Sequence, residues 1–182
     1  MSRLLLLFVL LQAPHVVGAQ EPATAISYSH SITVPLNAVQ LFDKAMEAWT
    51  WTFGKEPGAK LLVKDRGKGV LEATGRLNFR SEMLTVREES MGTVQYHVTL
   101  QVRAGECRVV ITELTHTGNR TTARGGIHMG LLTRAEKPVQ NVPGIGGGNK
   151  TRLYAEVKQQ ADTRVNTVLQ AFASRLRASV EP

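Results

Sequence analysis

Apolar and polar residues alternate with period two through the middle of this chain, and stretches of helical period interrupt and close the alternation. From Ile26 to Val34 the even positions are apolar apart from His30, and the odd positions are all Ser or Thr. That is the pattern of a half-buried strand, closed by Pro35. Between Asn37 and Phe53 the period changes. Val39, Phe42, Met46, Trp49 and Phe53 recur at spacings of three and four with Ala45 beside them, which predicts an amphipathic helix stopped by Gly54 and Pro57-Gly58. Lys60 to Lys64 reads as a short strand and 65–69 as a turn. Leu71, Ala73, Leu77 and Phe79 then form the apolar side of a second alternating run, in which Gly75 marks a bulge or a close packing contact. Met83, Leu84 and Val86 extend that strand beyond a bend. The most regular strand is Val94 to Val102, with Val94, Tyr96, Val98, Leu100 and Val102 on one side and Gln95, His97, Thr99 and Gln101 on the other. Ala104-Gly105-Glu106 is a hairpin loop, and Cys107 to His116 is the returning strand.

Residues 117–150 hold eight glycines and two prolines with no sustained period, and read as a long irregular loop. From Thr151 a long helix follows, with Leu153, Val157, Ala161, Val165, Val168, Leu169, Phe172 and Leu176 as its stripe. The order is β-α-β-β-β-β-α. Strands with one apolar and one polar side imply a curved antiparallel sheet covered on one face, and the two amphipathic helices are the available cover. The expected class is α+β, a two-layer domain with both helices packed on one face.

Particular residues within this order carry a resemblance. They are Leu41-Phe42-Asp43-Lys44-Ala45 with Trp49; Val63-Lys64-Asp65 with the Gly67-Lys68-Gly69 turn and the run to Gly75; and Val94-Gln95-Tyr96 through Arg108 and Ile111-Thr112 to Thr115-His116. Over about residues 32–118 the chain resembles an exported bacterial family described only as a domain of unknown function with a fold like that of the TATA-box-binding protein (TBP). The resemblance implies a TBP-like sheet and an envelope location. It implies no catalytic residue.

The amino-terminal residues bear on location. Arg3 is followed by an unbroken apolar run from Leu4 to Leu11, and Val17-Gly18-Ala19 places small residues at a cleavage position. This is the layout of a secretory signal peptide. Eight apolar residues make about 12 Å of helix, too short for a hydrocarbon core of roughly 30 Å. Gln20 stands where a lipoprotein needs Cys, so no lipid is expected there. The expected division is a signal peptide at 1–19, a TBP-like core at 20–118, a Gly-rich flexible loop at 119–150 and a carboxyl-terminal helix at 151–180. Cleavage leaves 163 residues, enough for one domain, and lowers the net charge from +7 to +6 through the loss of Arg3. The charge is spread without runs of like residues, so it predicts at most weak contact with anionic surfaces. Cys107 is the single cysteine. No internal disulfide can form, and its strand setting makes it a buried hydrophobe.

The segment Gly144 to Thr151 comes near a phosphate-binding loop, Gly-x4-Gly-Lys-Thr, but Asn149 replaces the second glycine and Pro143 precedes it in place of a buried strand. Nucleotide binding is not expected, and no cofactor is. His30, His97, His116 and His128 lack ligand spacing, so no metal is expected either. His30 reads as a core histidine and His97 as exposed. No Gly-x-Ser-x-Gly elbow occurs, and Glu72 and Glu113 are the candidates for a carboxylate pair. The acceptors at Asn119 and Asn149 belong to a eukaryotic pathway that the resemblance does not suggest. The TBP-like fold raises DNA, but the open face shows Ser29, Ser31, Arg76, Asn78, Gln95, His97, Thr99 and Gln101 and lacks apolar wedges, so nucleic acid is not an expected partner.

The expectation is a non-enzymatic exported binding or interaction module, with Gln95, His97 and Gln101 at the centre of its site and an envelope protein or small ligand as partner. Two alternatives stand beside it. One is a carrier of an apolar ligand between the sheet and the last helix. The other is a hydrolase with a scattered site.

Overall fold

The computed structural model describes residues 23–84, 88–123 and 125–179. Residues 1–19, expected to be a signal peptide, and Val86 lie outside the described residues. Strands β1 (Tyr28–Thr33), β2 (Lys60–Asp65), β3 (Val70–Phe79), β4 (Gly92–Arg103) and β5 (Glu106–Gly118) pair antiparallel in the order β1-β5-β4-β3-β2. A short sixth strand, β6 (Gly130–Leu131), adds to β5 beyond the end of β1. Helices α1 (Ala38–Trp51) and α2 (Gly147–Ala178) cover one face. The fold is therefore α+β in two layers, and among the described residues no helix covers the other sheet face.

Local chemistry sets these elements. Asn37 caps α1, its side-chain oxygen accepting the N–H of Gln40 at 2.9 Å. The tight turn from β2 to β3 needs Gly69 at φ 66°, where a Cβ would lie 2.2 Å from the Val102 carbonyl oxygen. In β3, Leu71, Ala73, Leu77 and Phe79 point into the core, as do Val94 to Val102 at alternate positions of β4. Gly75 is a close packing contact. A Cβ there would lie 2.4 Å from the ring of Tyr96, its partner in β4. The register shifts lie elsewhere: between Leu61 and Val63 of β2, and between Gln95 and His97 of β4, opposite which Glu113 of β5 adopts φ 59°. The α2 stripe expected from sequence is buried from Leu153 to Leu176, joined by Tyr154 and Ala173. Cys107 is buried, and burial followed by the charge of Glu106 pushes its thiol up to about 12.

Five expectations are corrected. The buried face of α1 is Leu41, Phe42, Ala45, Ala48 and Trp49, while Val39 is half exposed in the first turn. Met83 and Leu84 do not extend β3. The Ser81 hydroxyl accepts the N–H of Leu84 at 3.1 Å and turns the chain, and the Ser90 hydroxyl holds the Leu84 carbonyl at 3.2 Å. The 119–150 segment is irregular in sequence but packed. Ile127, Met129, Leu132 and Val142 enter the core, and Tyr154 accepts the Thr133 N–H at 2.8 Å. α2 begins at Gly147, four residues before Thr151, so the glycine run forms a first helical turn and not a phosphate-wrapping loop. His30 is exposed, because β1 is an edge strand with no neighbour on its outer side among the described residues.

Candidate functional site

The three residues expected at the site share one face. β4 runs down the middle of the sheet, so its alternate residues Gln95, His97 and Gln101 stand in a row on the helix-free side. Gln95 lies between Arg76 of β3 and Thr115 of β5, His97 between Thr74 and Thr112, and Gln101 between Val70 and Arg108. Gln95 and Gln101 are exposed and His97 is half-buried. Their side chains make no hydrogen bond to the other described residues. Thr93, Thr99 and Thr117 extend the same face, and Arg108 reaches across to donate to the Ser29 hydroxyl at 3.1 Å. The surface is thus a grid of amides, hydroxyls and an imidazole, with the guanidinium groups of Arg76 and Arg108 beside the row and the Glu72 carboxylate opposite Thr99.

The two carboxylates weighed as a pair are not brought together. Glu72 aligns through Thr99 with Val110, so Glu113 lies two strands away and three residues along, roughly 14 Å by strand geometry. Among the described residues no group of three or more His, Cys, Asp or Glu side chains is placed to hold a metal ion.

The helix side carries a feature that the sequence reading missed. An open cleft of about 540 Å³ lies where α2 passes β3, with Leu77, Phe79 and Val94 as its floor. Glu56, in the loop after α1, is buried on one wall and accepts from Arg164 of α2 at 2.9 Å. Glu156 accepts from the Ser81 hydroxyl at 2.7 Å, and Gln160 donates to the Arg80 carbonyl at 3.0 Å. The signal was present in the sequence: Glu156, Gln160 and Arg164 recur every four residues, a polar line beside the apolar stripe. Away from the cleft α2 packs closely on the core, with Leu153, Tyr154, Phe172 and Leu176 fully buried.

Residues 28–117 match the model of the family described as a domain of unknown function (DUF4468) with TBP-like fold. Two solved structures share the architecture. A DUF4468 family protein from Bacteroides ovatus is 19% identical, with 86% of this chain and 91% of that chain covered and a TM-score of 0.50. A TBP-like protein from Parabacteroides distasonis is 9% identical, with 85% and 96% covered and a TM-score of 0.54. No curated protein matches the sequence. These likenesses speak for the fold.

Proposed function

We propose that this chain is an exported, non-enzymatic binding module whose partner docks on the helix-free face of the sheet around Gln95, His97 and Gln101. The observation that carries the reading is the row itself: three hydrogen-bonding side chains on the central strand with no partner within the described structure. A donor and acceptor row of this kind, held on a rigid sheet, is preorganised for a polar partner. Arg76 and Arg108 beside it favour a partner with anionic groups. The cleft between α2 and β3 is open and rimmed by Glu56, Glu156, Gln160 and Arg164, which supports an interaction module over a carrier of an apolar ligand. Export rests on the first 19 residues, with cleavage after Ala19 and a mature chain beginning at Gln20.

Protein purified from its own envelope fraction and examined by native mass spectrometry tests the proposal. The wild type retains a bound partner, and its mass corresponds to a chain starting at Gln20. Replacing Gln95, His97 and Gln101 together with Ala removes the partner while the protein stays folded, since substitutions at exposed positions such as Gln95 and Gln101 typically change stability by about 0.5 kcal/mol or less and the half-buried His97 is outside the core. A triple variant that still holds the partner rules out the sheet face, and a full-length cytoplasmic chain rules out export.

The cleft beside Glu56 and Arg164 favours a second reading, in which a small polar ligand is bound. An apolar floor with a few polar groups at its rim is the usual build of a ligand site. Thr163 is exposed at its mouth, so Thr163→Trp releases a small ligand held there and leaves a ligand on the sheet face in place.

A further inference from the structure

The two edges of the sheet are built differently. β2 forms one edge and carries Lys60, Lys64 and Asp65 with a register shift between Leu61 and Val63. Charge and a bulge are the usual devices that prevent another strand from adding. β1 forms the other edge and reads Tyr-Ser-His-Ser-Ile-Thr, with no Lys, no acid, no Pro and a continuous register against β5.

The outward hydrogen-bonding groups of β1 can be assigned. The N–H of Val34 donates to the Gly105 carbonyl, and the N–H of Ile26 to the Leu132 carbonyl, each at 3.0 Å. Both bonds point towards the β5 side. Because bonding direction alternates along an antiparallel strand, the even-numbered residues of β1 bond to β5. The N–H and C=O groups of Ser29, Ser31 and Thr33 therefore face away from the sheet. These residues are exposed.

A groove runs between this edge and α2. Tyr28 stands across it, beside Asp162. On one side a space of about 380 Å³ is bounded by Ser27, Arg134 and Lys158. On the other, about 490 Å³ is bounded by His30, Leu169, Ala173 and Arg177. Among the described residues Asp162 is the one carboxylate lining either space, against Arg134, Lys158 and Arg177. Arg134 and Arg177 are exposed and have no ion-pair partner among the described residues. The groove is thus basic, with an apolar patch at Leu169 and Ala173.

We infer that β1 is a strand-addition site for an extended, acidic peptide segment of a partner protein. The segment's backbone pairs with the outward groups of Ser29, Ser31 and Thr33. Its helix-side residues enter the groove over Leu169 and Ala173, and its carboxylates meet Arg134 and Arg177. This is the strand-addition mode of peptide recognition, in which main-chain bonds give affinity and flanking pockets give selectivity. A second copy of this chain is a poorer occupant, because pairing β1 with its own copy brings two basic grooves together. The site is separate from the open face around Gln95, so either can fail without the other.

Fluorescence anisotropy with three labelled octapeptides on the intact protein tests the inference. The first alternates Val or Thr with Asp; the second carries Lys in place of Asp; the third is the acidic peptide with alternate backbone nitrogens methylated. The acidic peptide binds at least tenfold more tightly than the lysine peptide, and methylation abolishes its binding. Ser29→Pro removes one outward N–H and also abolishes binding, whereas Ser29→Ala keeps that N–H, loses only the hydroxyl and binds like the wild type. Should Ser29→Pro fold poorly, the methylated peptide on the wild-type protein still decides the matter. Equal binding of the methylated peptide, no preference for Asp over Lys, or no binding of the acidic peptide overturns the inference. So does sedimentation that reveals a dimer abolished by Ser29→Lys, which would give the edge to a second copy.

Discussion

The backbone N–H of Met129 donates to Nδ1 of His116 at 3.3 Å, and both residues are buried. The bond fixes the imidazole as neutral with its proton on Nε2. Nε2 has no hydrogen-bond partner among the described residues, and the ring meets Phe79 edge-on at 5.2 Å between centroids. Nearby, Nδ1 of His128 accepts the N–H of Gly118 at 3.1 Å. Two imidazole acceptors thus fasten the segment carrying β6 to the end of β5.

Burial first, and His128 second, push the His116 imidazole down to about 4 from its ordinary 6.5. The unfolded chain therefore takes up this proton before the folded one as pH falls. The stability is present in full above about pH 6.5, is lost progressively towards pH 4, and loses nothing more from this group below that. The full loss is about 3 kcal/mol. Urea unfolding at several pH values measures it. His116→Leu flattens the slope between pH 6.5 and 4.5, and a variant with the wild-type slope disproves the assignment.

Gly75 and Tyr96 interlock across β3 and β4. A Cβ at position 75 would lie 2.4 Å from the Tyr96 ring, which is buried and has little room to move. Gly75→Ala destabilises the protein by about 1–3 kcal/mol, the usual range for an overpacked core. Tyr96→Leu in the same chain relieves the clash, so the double variant is more stable than the sum of the single losses. Strict additivity in denaturant melts would show that the contact is not the cause.

Much of this fold was legible because burial and period coincide. β4 is half-buried along its whole length, so apolar and polar residues alternate without a break from Val94 to Val102, and the open-face row Gln95, His97 and Gln101 follows from the same alternation. The α2 stripe was legible for the same reason. Where neighbours and not period decide, the sequence was a poorer guide. Nothing in the Gly-rich composition of 117–150 signals that Met129 and Leu132 reach the core, because their packing depends on His116 and Tyr154 far along the chain. The cleft beside β3 needs Glu56 to meet Arg164, 108 residues away.

The packing of α2 on the sheet rests on its aromatic anchor. Phe172 is fully buried, with its ring 5.7 Å from that of Phe53 at the end of α1. Phe172→Ala opens a cavity between the two helices and the sheet and costs about 3–5 kcal/mol. A loss below 1 kcal/mol in equilibrium unfolding would mean that α2 is not part of the cooperative core.

The last prediction concerns the glycine run that opens α2. Gly147 and Gly148 lie in the first turn, and a Cβ added to either meets nothing within 4 Å. Neither has positive φ. The Lys150 N–H donates to the Gly146 carbonyl at 2.9 Å, so these residues are already helical and do not need the freedom that a phosphate-cradling loop requires of glycine. Alanine in a helix is favoured over glycine by about 0.5–1 kcal/mol, chiefly because the unfolded chain loses less freedom on folding. Gly148→Ala therefore raises the stability by up to that amount. Thermal melting of the wild type does not respond to ATP and magnesium, whereas a ligand at 100 times its dissociation constant would add about 2.7 kcal/mol. A destabilised Gly148→Ala together with an upward shift of Tm with nucleotide would reverse this reading and restore the run as a phosphate site.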